Sequence, residues 1–257
     1  MTLKTTMARV IALADESAAM NMAIDQAVLE SVDRTRMPTL RLYTWREPTL
    51  SLGYFQSIAD REIHRESQSL SVVRRATGGG AIIHHHELTY SLVWPLEKSS
   101  TGARSDLYHE THRAIIDALS DFSVNATRFA DRPANPLYDP TAKTNEPFLC
   151  FRRRTEEDLI VHGYKMVGSA QRTARRSVLQ HGSVLLNVSE YAPQLPGVNE
   201  LLGKQITIED LASAFTEKIA NRFAVRMEPY SLDSETIDVA RMIATDRFAN
   251  ERWTHKR

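Results

Sequence analysis

Three features of the chain carry residue types that do chemistry: a run of glycines, a single cysteine, and a lysine in a strand-like segment. The densest is Arg74-Arg75-Ala76-Thr77-Gly78-Gly79-Gly80-Ala81-Ile82-Ile83-His84. Consecutive glycines lose more backbone entropy on folding than other residues, so such a run between two apolar strands needs a reason. One reason is a tight turn, which one or two glycines usually serve. The other is a bare backbone whose N–H groups approach a carbonyl or phosphate with no Cβ in the way. The residues alone leave both open. The spacing fits neither the Walker loop nor the Rossmann fingerprint, so no nucleotide site follows from it.

Cys150 is the only cysteine, in Asn145-Glu146-Pro147-Phe148-Leu149-Cys150-Phe151. A lone cysteine is more often inert filler than nucleophile. A reactive one needs positive charge or donors nearby and partial exposure, and basic residues at the end of a long loop are compatible with that. Lys165 lies in Gly163-Tyr164-Lys165-Met166-Val167-Gly168-Ser169-Ala170-Gln171. By strand alternation it shares a face with Val167; if that face is a cleft, the lysine points inward and needs an anion or carbonyl to justify it. The alternative is a solvated hairpin. His84-His85-His86 suggests a metal, but neighbours in a strand point to opposite faces and no second ligand set has recognisable spacing. His181, in Gln180-His181-Gly182-Ser183, reads as a satisfied structural histidine.

The elements that must position these groups follow from periodicity. Ser17 caps a helix whose apolar positions Met20, Ile24, Ala27, Val28 and Val32 share a face, with Asp25 off that stripe. Residues 39–45 alternate as a strand, 49–52 form a second closed by Gly53, and 71–75 run into the glycines. Residues 87–94 alternate with Leu88, Tyr90, Leu92 and Trp94 on one side, and 107–122 return to helical period. Four prolines make 132–147 an irregular loop. Residues 158–161 and 164–167 read as a hairpin around His162-Gly163, and 177–186 as further strand. Helices are predicted over 208–222 after Thr207 and over 235–248 after Ser234. Strands mixed irregularly with helices indicate an α+β fold, a mixed β-sheet flanked by helices, within one domain spanning 1–257.

Composition narrows the function classes. The chain has 257 residues, 42% hydrophobic and 25% charged, enough for one sizeable core. Lysine plus arginine balances aspartate plus glutamate at 32 each, so no charge excess points to nucleic acid or membrane. Local clusters, Arg152-Arg153-Arg154 and Arg172 with Arg175-Arg176, suit a solvated face or an acidic partner. No stretch approaches the ~20 apolar residues of a membrane span, and residues 1–13 carry no leader pattern. One cysteine precludes an internal disulfide, so a reducing, cytoplasmic setting is expected.

Together these segments resemble the lipoate/biotin ligase and lipoyl-transferase superfamily. The resemblance rests on Asn21-Met22-Ala23-Ile24-Asp25, on the arginine–glycine stretch 74–84, on Lys165-Met166-Val167-Gly168-Ser169-Ala170-Gln171 and on Gln180-His181-Gly182-Ser183. Within it the chain looks most like the cysteine-dependent octanoyltransferases, through Glu87-Leu88-Thr89-Tyr90-Ser91 and the Cys150-Phe151 pair. Three points depart from that subfamily: Gly80 where arginine is frequent, His85 where aspartate is frequent, and the three arginines after Phe151.

The resemblance implies a biotin/lipoate ligase-like catalytic domain and an octanoyltransferase of lipoate biosynthesis. Octanoyl-acyl carrier protein would donate to Cys150 as a thioester. A lysine of a lipoyl domain, or of the glycine-cleavage H protein, would accept. It assigns Lys165 to making the thiol more acidic and orienting the carbonyl. It places Arg75, Thr77, Gly78, Gly79, Gly80, His84, Gly168, Ser169 and Ala170 around the substrate, with no metal and no cofactor. Three other readings stand beside it: an ATP-dependent lipoate or octanoate ligase, which alone would need ATP and Mg; transfer between two lipoyl proteins; and a non-catalytic lipoyl-domain-binding protein.

Overall fold

The computed structural model describes residues 6–97, 102–132 and 147–257. The proline-rich stretch read as an irregular loop lies, over 133–146, outside the described residues.

Eleven strands are found among the described residues: β1 (Thr6–Glu16), β2 (Thr39–Trp45), β3 (Thr49–Leu52), β4 (Ser71–Arg74), β5 (Ile82–His84), β6 (Glu87–Pro95), β7 (Thr127–Arg128), β8 (Leu159–Val161), β9 (Tyr164–Thr173), β10 (Ser177–Leu185) and β11 (Val225–Pro229). Eight of them make one sheet in the order β11-β1-β2-β6-β10-β9-β8-β7, and β4-β3-β5 make a small second sheet. The large sheet is mixed. β1 runs parallel to both β2 and β11, while β2, β6, β10 and β9 pair antiparallel. This is the α+β arrangement that the irregular alternation of elements implies.

Helices cover both faces. α1 (Ala18–Thr35) and α5 (Ser234–Ile243) pack on one, α2 (Ala103–Ser120) and α4 (Ile208–Arg222) on the other; a short α3 (Val198–Leu202) follows β10. α1 and α4 begin at side-chain caps that the sequence marks. Ser17 Oγ accepts from Met20 N–H, and Thr207 Oγ1 from Asp210 N–H, each cap worth about 1 kcal/mol. The last long helix differs from its expected start: Asp233 accepts from Thr236 N–H, so Ser234 is already helical. It then loosens into a π-turn over Ala244–Phe248. The run ends in α6 (Glu251–Thr254).

Period-two alternation sorts the large sheet's side chains between two different interiors. Leu40 and Leu42 of β2, and Leu88, Tyr90 and Leu92 of β6, join the core beneath α2 and α4. The opposite face carries Arg41, Tyr43, Trp45, Glu87, Thr89, Ser91, His181 and Ser183, all buried beneath α1 or the small sheet. A polar row on a covered face is costly unless every group is paired or the row lines a cavity. Both conditions are met. No helix among the described residues is long and apolar enough to cross a membrane.

Candidate active site

The glycine stretch joins two strands of the small sheet, β4 and β5, which flank β3 on either side. β4 ends at Arg74, and the chain turns through Gly78, Gly79 and Gly80 before β5. The tight-turn motive for glycine operates, and close backbone packing adds to it. Gly79 has φ +96°, a left-handed conformation that a side chain disfavours, and a Cβ on Gly53 would lie 1.9 Å from Gly79 O. The turn therefore packs backbone on backbone. A Cβ on Gly80 would lie 2.9 Å from Cys150 N, so the same turn also seats the cysteine.

Two buried arginines fix this turn. Arg75 donates to Ser51 O at 2.8 Å and Ser51 Oγ at 2.7 Å, and to Gly78 O at 3.2 Å and Gly80 O at 2.9 Å. Burial pushes its guanidinium down to about 10, which leaves it charged at neutral pH. Arg74 donates to Gly53 O at 3.0 Å and Gln56 O at 2.6 Å on one side, and to Thr254 O at 2.7 Å on the other. The guanidinium fork suits such multiple acceptors, where an ammonium would not.

Cys150 opens a 3₁₀ turn, Cys150–Arg152, laid against the glycine turn. Its N–H donates to Ala81 O at 2.7 Å, and Ala81 N–H to Phe148 O at 3.0 Å. The side chain is half-buried, and Sγ lies 3.8 Å from Lys165 Nζ. Lys165 follows the His162-Gly163 turn at the start of β9 and is buried, settling its direction inward. Its ammonium pairs with Asp158 Oδ1 at 2.8 Å and lies 3.4 Å from Cys150 O. Asp158 Oδ2 in turn accepts from Thr155 N–H at 2.7 Å. The lysine is thus held from both sides, and Asp158 is a member of the site that no sequence motif disclosed.

From Cys150 a cavity of about 430 Å³, open mouth included, runs beneath α1 across the polar face of the large sheet. Its floor is a row in register across four strands: Gly168, Ser183, Thr89 and Tyr43. At about 4.8 Å per strand the row spans about 14 Å. Trp45 closes the far side, its ring stacked on His84 at 3.8 Å between centroids and its Nε1–H donating to Thr89 Oγ1 at 3.0 Å. Met22 and Ile82 add apolar wall.

The polar groups around the cavity are tied to one another. Burial lowers the His84 pKa, and the hydrogen bonds assign its tautomer: Nδ1–H donates to Glu87 at 2.5 Å and Nε2 accepts from Ser51 at 2.7 Å. Burial acts to raise the Glu87 carboxyl, yet His84 brings it below its ordinary value. His181 bonds Thr77 Oγ1 at 2.7 Å and faces Asp25 Oδ2 at 3.5 Å. Asp25, off the apolar stripe of α1, is nonetheless buried; it accepts from Arg41, Tyr43 and Ser91 at 2.8–2.9 Å. Burial works against its ionisation, but the His181 bond and the Arg41 charge hold it below the usual range. The Asn21–Asp25 pair thereby bolts α1 to β2, since Arg41 also reaches Asn21 Oδ1 at 2.5 Å.

Of the residues anticipated around the substrate, Arg75, Gly78, Gly79, His84, Gly168, Ser169 and Ala170 line this cavity with Cys150. Thr77 and Gly80 stand one layer behind, against His181 and Cys150. The Ser169 hydroxyl turns to the opposite face of the sheet, where it bonds His112 Nε2 and Tyr90 Oη at 2.7 Å each. His181, read as purely structural, both satisfies its neighbours and lines the cavity. Tyr43, Trp45, Thr89 and Ser183 were not anticipated. Their signal was available: polar or amphipathic residues at every second position of strands whose other face is apolar. Among the described residues no cluster of three or more histidine, cysteine or carboxylate side chains is arranged to hold a metal.

Comparison with known proteins identifies the family and the fold. A family model described as the lipoyl protein ligase A/B catalytic domain matches residues 17–220. The octanoyltransferase LipM of Bacillus subtilis (strain 168) is 30% identical, covering 97% of this chain and 98% of its own. That of Halalkalibacterium halodurans is also 30% identical, over 97% and 99%. Among solved structures, a bi-partite lipoate protein ligase from Thermoplasma acidophilum superimposes with a TM-score of 0.75, covering 97% of this chain and 96% of that one. At 17% identity that likeness speaks for the fold alone.

Proposed function

Because the chain belongs to the lipoyl protein ligase A/B catalytic domain family, we propose that it is an octanoyltransferase of lipoate biosynthesis that carries the acyl group on Cys150. One observation carries the reading: a half-buried sulfur, 3.8 Å from a buried ammonium, at the end of a largely apolar cavity. A ligase working through an acyl adenylate has no need of that sulfur.

The chemistry runs in two balanced steps. The Cys150 sulfur attacks the thioester carbonyl of octanoyl-acyl carrier protein. The Sγ–C bond forms, the donor's C–S bond breaks, and the departing sulfur takes the proton that the cysteine gives up. The uncharged amine of the acceptor lysine, on a lipoyl domain or the glycine-cleavage H protein, then attacks the new thioester. An amide C–N bond forms, Sγ–C breaks, and the proton lost by the amine returns to sulfur. Dividing acyl transfer in this way lets two carrier proteins visit in turn.

The surrounding residues fit these steps. Lys165 presents its ammonium to the sulfur and to the carbonyl oxygen that develops charge, while Asp158 keeps it in place. Gly78 O is turned to Arg75, so across the trans peptide the Gly79 N–H points the other way and is the oxyanion donor of this reading. The octanoyl chain lies along the row toward Trp45, each methylene gaining about 0.8 kcal/mol by leaving water. No nucleotide or metal is required to balance either step.

Intact mass spectrometry tests the reading. Incubation with octanoyl-acyl carrier protein adds one octanoyl group, which hydroxylamine removes and which Cys150→Ser does not acquire. Full transfer activity in Cys150→Ser, or pyrophosphate exchange dependent on octanoate and ATP, overturns it.

A further inference from the structure

Three arginines follow the nucleophile, and they separate in space. Arg153 turns back toward the glycine turn: its Nε donates to Pro147 O at 2.7 Å, and a Cβ on Gly80 would lie 2.8 Å from that Nε. Arg152 and Arg154 instead line a second cavity, of about 450 Å³ with its open mouth included, together with Tyr164, Lys165 and Gln194. Among the described residues that line it, three are cationic and none is acidic. Arg152 is exposed, while Arg154 is half-buried and donates to Phe151 O at 2.8 Å.

Lys165 belongs to both sites. It lines this second cavity, yet its ammonium stands 3.8 Å from Sγ, and the sulfur itself lines the acyl cavity. The Cys150–Lys165 pair therefore stands between an apolar cavity and a basic one. A thioester under attack at Sγ has two ends. Its acyl chain belongs in the apolar cavity, and the departing sulfur with its arm needs another way out. A basic cavity beside the nucleophile suits an arm that bears phosphate, whose oxygens accept paired bonds from guanidinium groups.

We infer that the Arg152–Arg154 cavity receives the phosphate of a 4′-phosphopantetheine arm, the thiol-bearing half of the acyl donor. This rests on the transferase reading and names the donor chemistry of that same site. The arm occurs on carrier proteins and in coenzyme A, so phosphate recognition extends to both.

The test is single-turnover acylation of Cys150, read by intact mass, in the unaltered protein and in Arg152→Gln and Arg154→Gln. Donors are octanoyl-pantetheine, octanoyl-4′-phosphopantetheine, octanoyl-coenzyme A and octanoyl-acyl carrier protein. The readout is the ratio of kcat/KM with phosphorylated over unphosphorylated pantetheine in each protein, which cancels any damage common to both donors. In the unaltered protein the phosphate raises kcat/KM about 10-fold, as expected for a charge-assisted hydrogen bond. The ratio falls toward one in each variant, with parallel losses for the coenzyme A and carrier-protein donors. Equal ratios in all three proteins overturn the subsite. So does a loss confined to the carrier-protein donor, since the arginines then read the protein surface. No acylation from any donor removes the transferase reading, and the subsite with it.

Discussion

Gly168 and Lys165 share one small volume: a Cβ on Gly168 would lie 2.6 Å from Lys165 Cε and 3.0 Å from Nζ. The missing side chain is the room in which the ammonium sits. Gly168→Ala displaces the flexible end of the lysine, not backbone, so the fold tolerates it. Stability falls by about 1 kcal/mol, or roughly 2–4 °C in Tm. The catalytic effect is larger, since a displacement near 1 Å costs about 100-fold in rate. Octanoyl transfer kinetics beside a thermal melt check both halves.

Trp45 is the stop at the far side of the acyl row. From Gly168 across Ser183 and Thr89 to Tyr43 is about 14 Å, and the stacked indole takes part of it. Trp45→Ala extends the cavity, so the ratio of dodecanoyl to octanoyl transfer rises by about 10-fold or more, several methylenes gaining space at once. Competition between the two acyl donors, read by mass, measures it. An unchanged ratio means that the chain takes another path.

Asp158 and Lys165 form a buried pair, each side chain 2% exposed. Asp158→Asn leaves the ammonium with one fewer anion in a dry site. Breaking such a pair costs about 3–5 kcal/mol, whereas replacing both partners with neutral groups recovers much of that. Urea denaturation therefore ranks Asp158→Asn below Asp158→Asn/Lys165→Met in stability. Transfer activity is lost in the double variant, because the ammonium beside the sulfur is gone.

His112 sets a pH dependence. It donates from Nδ1 to Glu157 O and accepts at Nε2 from Ser169, and burial pushes its pKa down to about 3. The folded value lies below the unfolded one, near 6.5, so the unfolded chain takes up the proton first as pH falls. The stabilisation is complete above pH 6.5 and declines from there until pH nears 3, at about 1.4 kcal/mol per pH unit for this one proton. His112→Gln is less stable at pH 7, and its stability falls less steeply over that interval. Urea melts at pH 7, 6, 5 and 4 measure the two slopes.

Much of this site could be read from residue type and period, and the failures share one cause. α1, α2 and α4 were visible because one apolar face repeats at 3.6 residues and a capping residue marks two of the starts. The glycine turn stood out by its backbone cost, whereas Cys150 and Lys165 each had a bland reading and were drawn together by the family resemblance. Asp158 was not, because it is an acid before a short strand, and only β8 pairing with β9 brings it beneath Lys165. Asp25 and His181 looked ordinary for the same reason. Their meaning lies in one shared hydrogen-bond network drawn from α1, β2, β6 and β10. β1 went unread, its apolar run lacking the two-residue alternation that marks a half-exposed strand. It pairs on both sides, with β2 and β11.

Arg74 ties the order of synthesis to the readiness of the site. Its guanidinium holds the Gly53–Gln56 bend on one side and the carbonyl of Thr254 on the other, 180 positions further along the chain. While a ribosome is still making α6, Cys150 and Lys165 are already in the chain, but the bend that carries the glycine turn lacks its second anchor. The support of the glycine turn is therefore non-local, and a cut before Thr254 would leave one side of the Arg74 guanidinium without its acceptor.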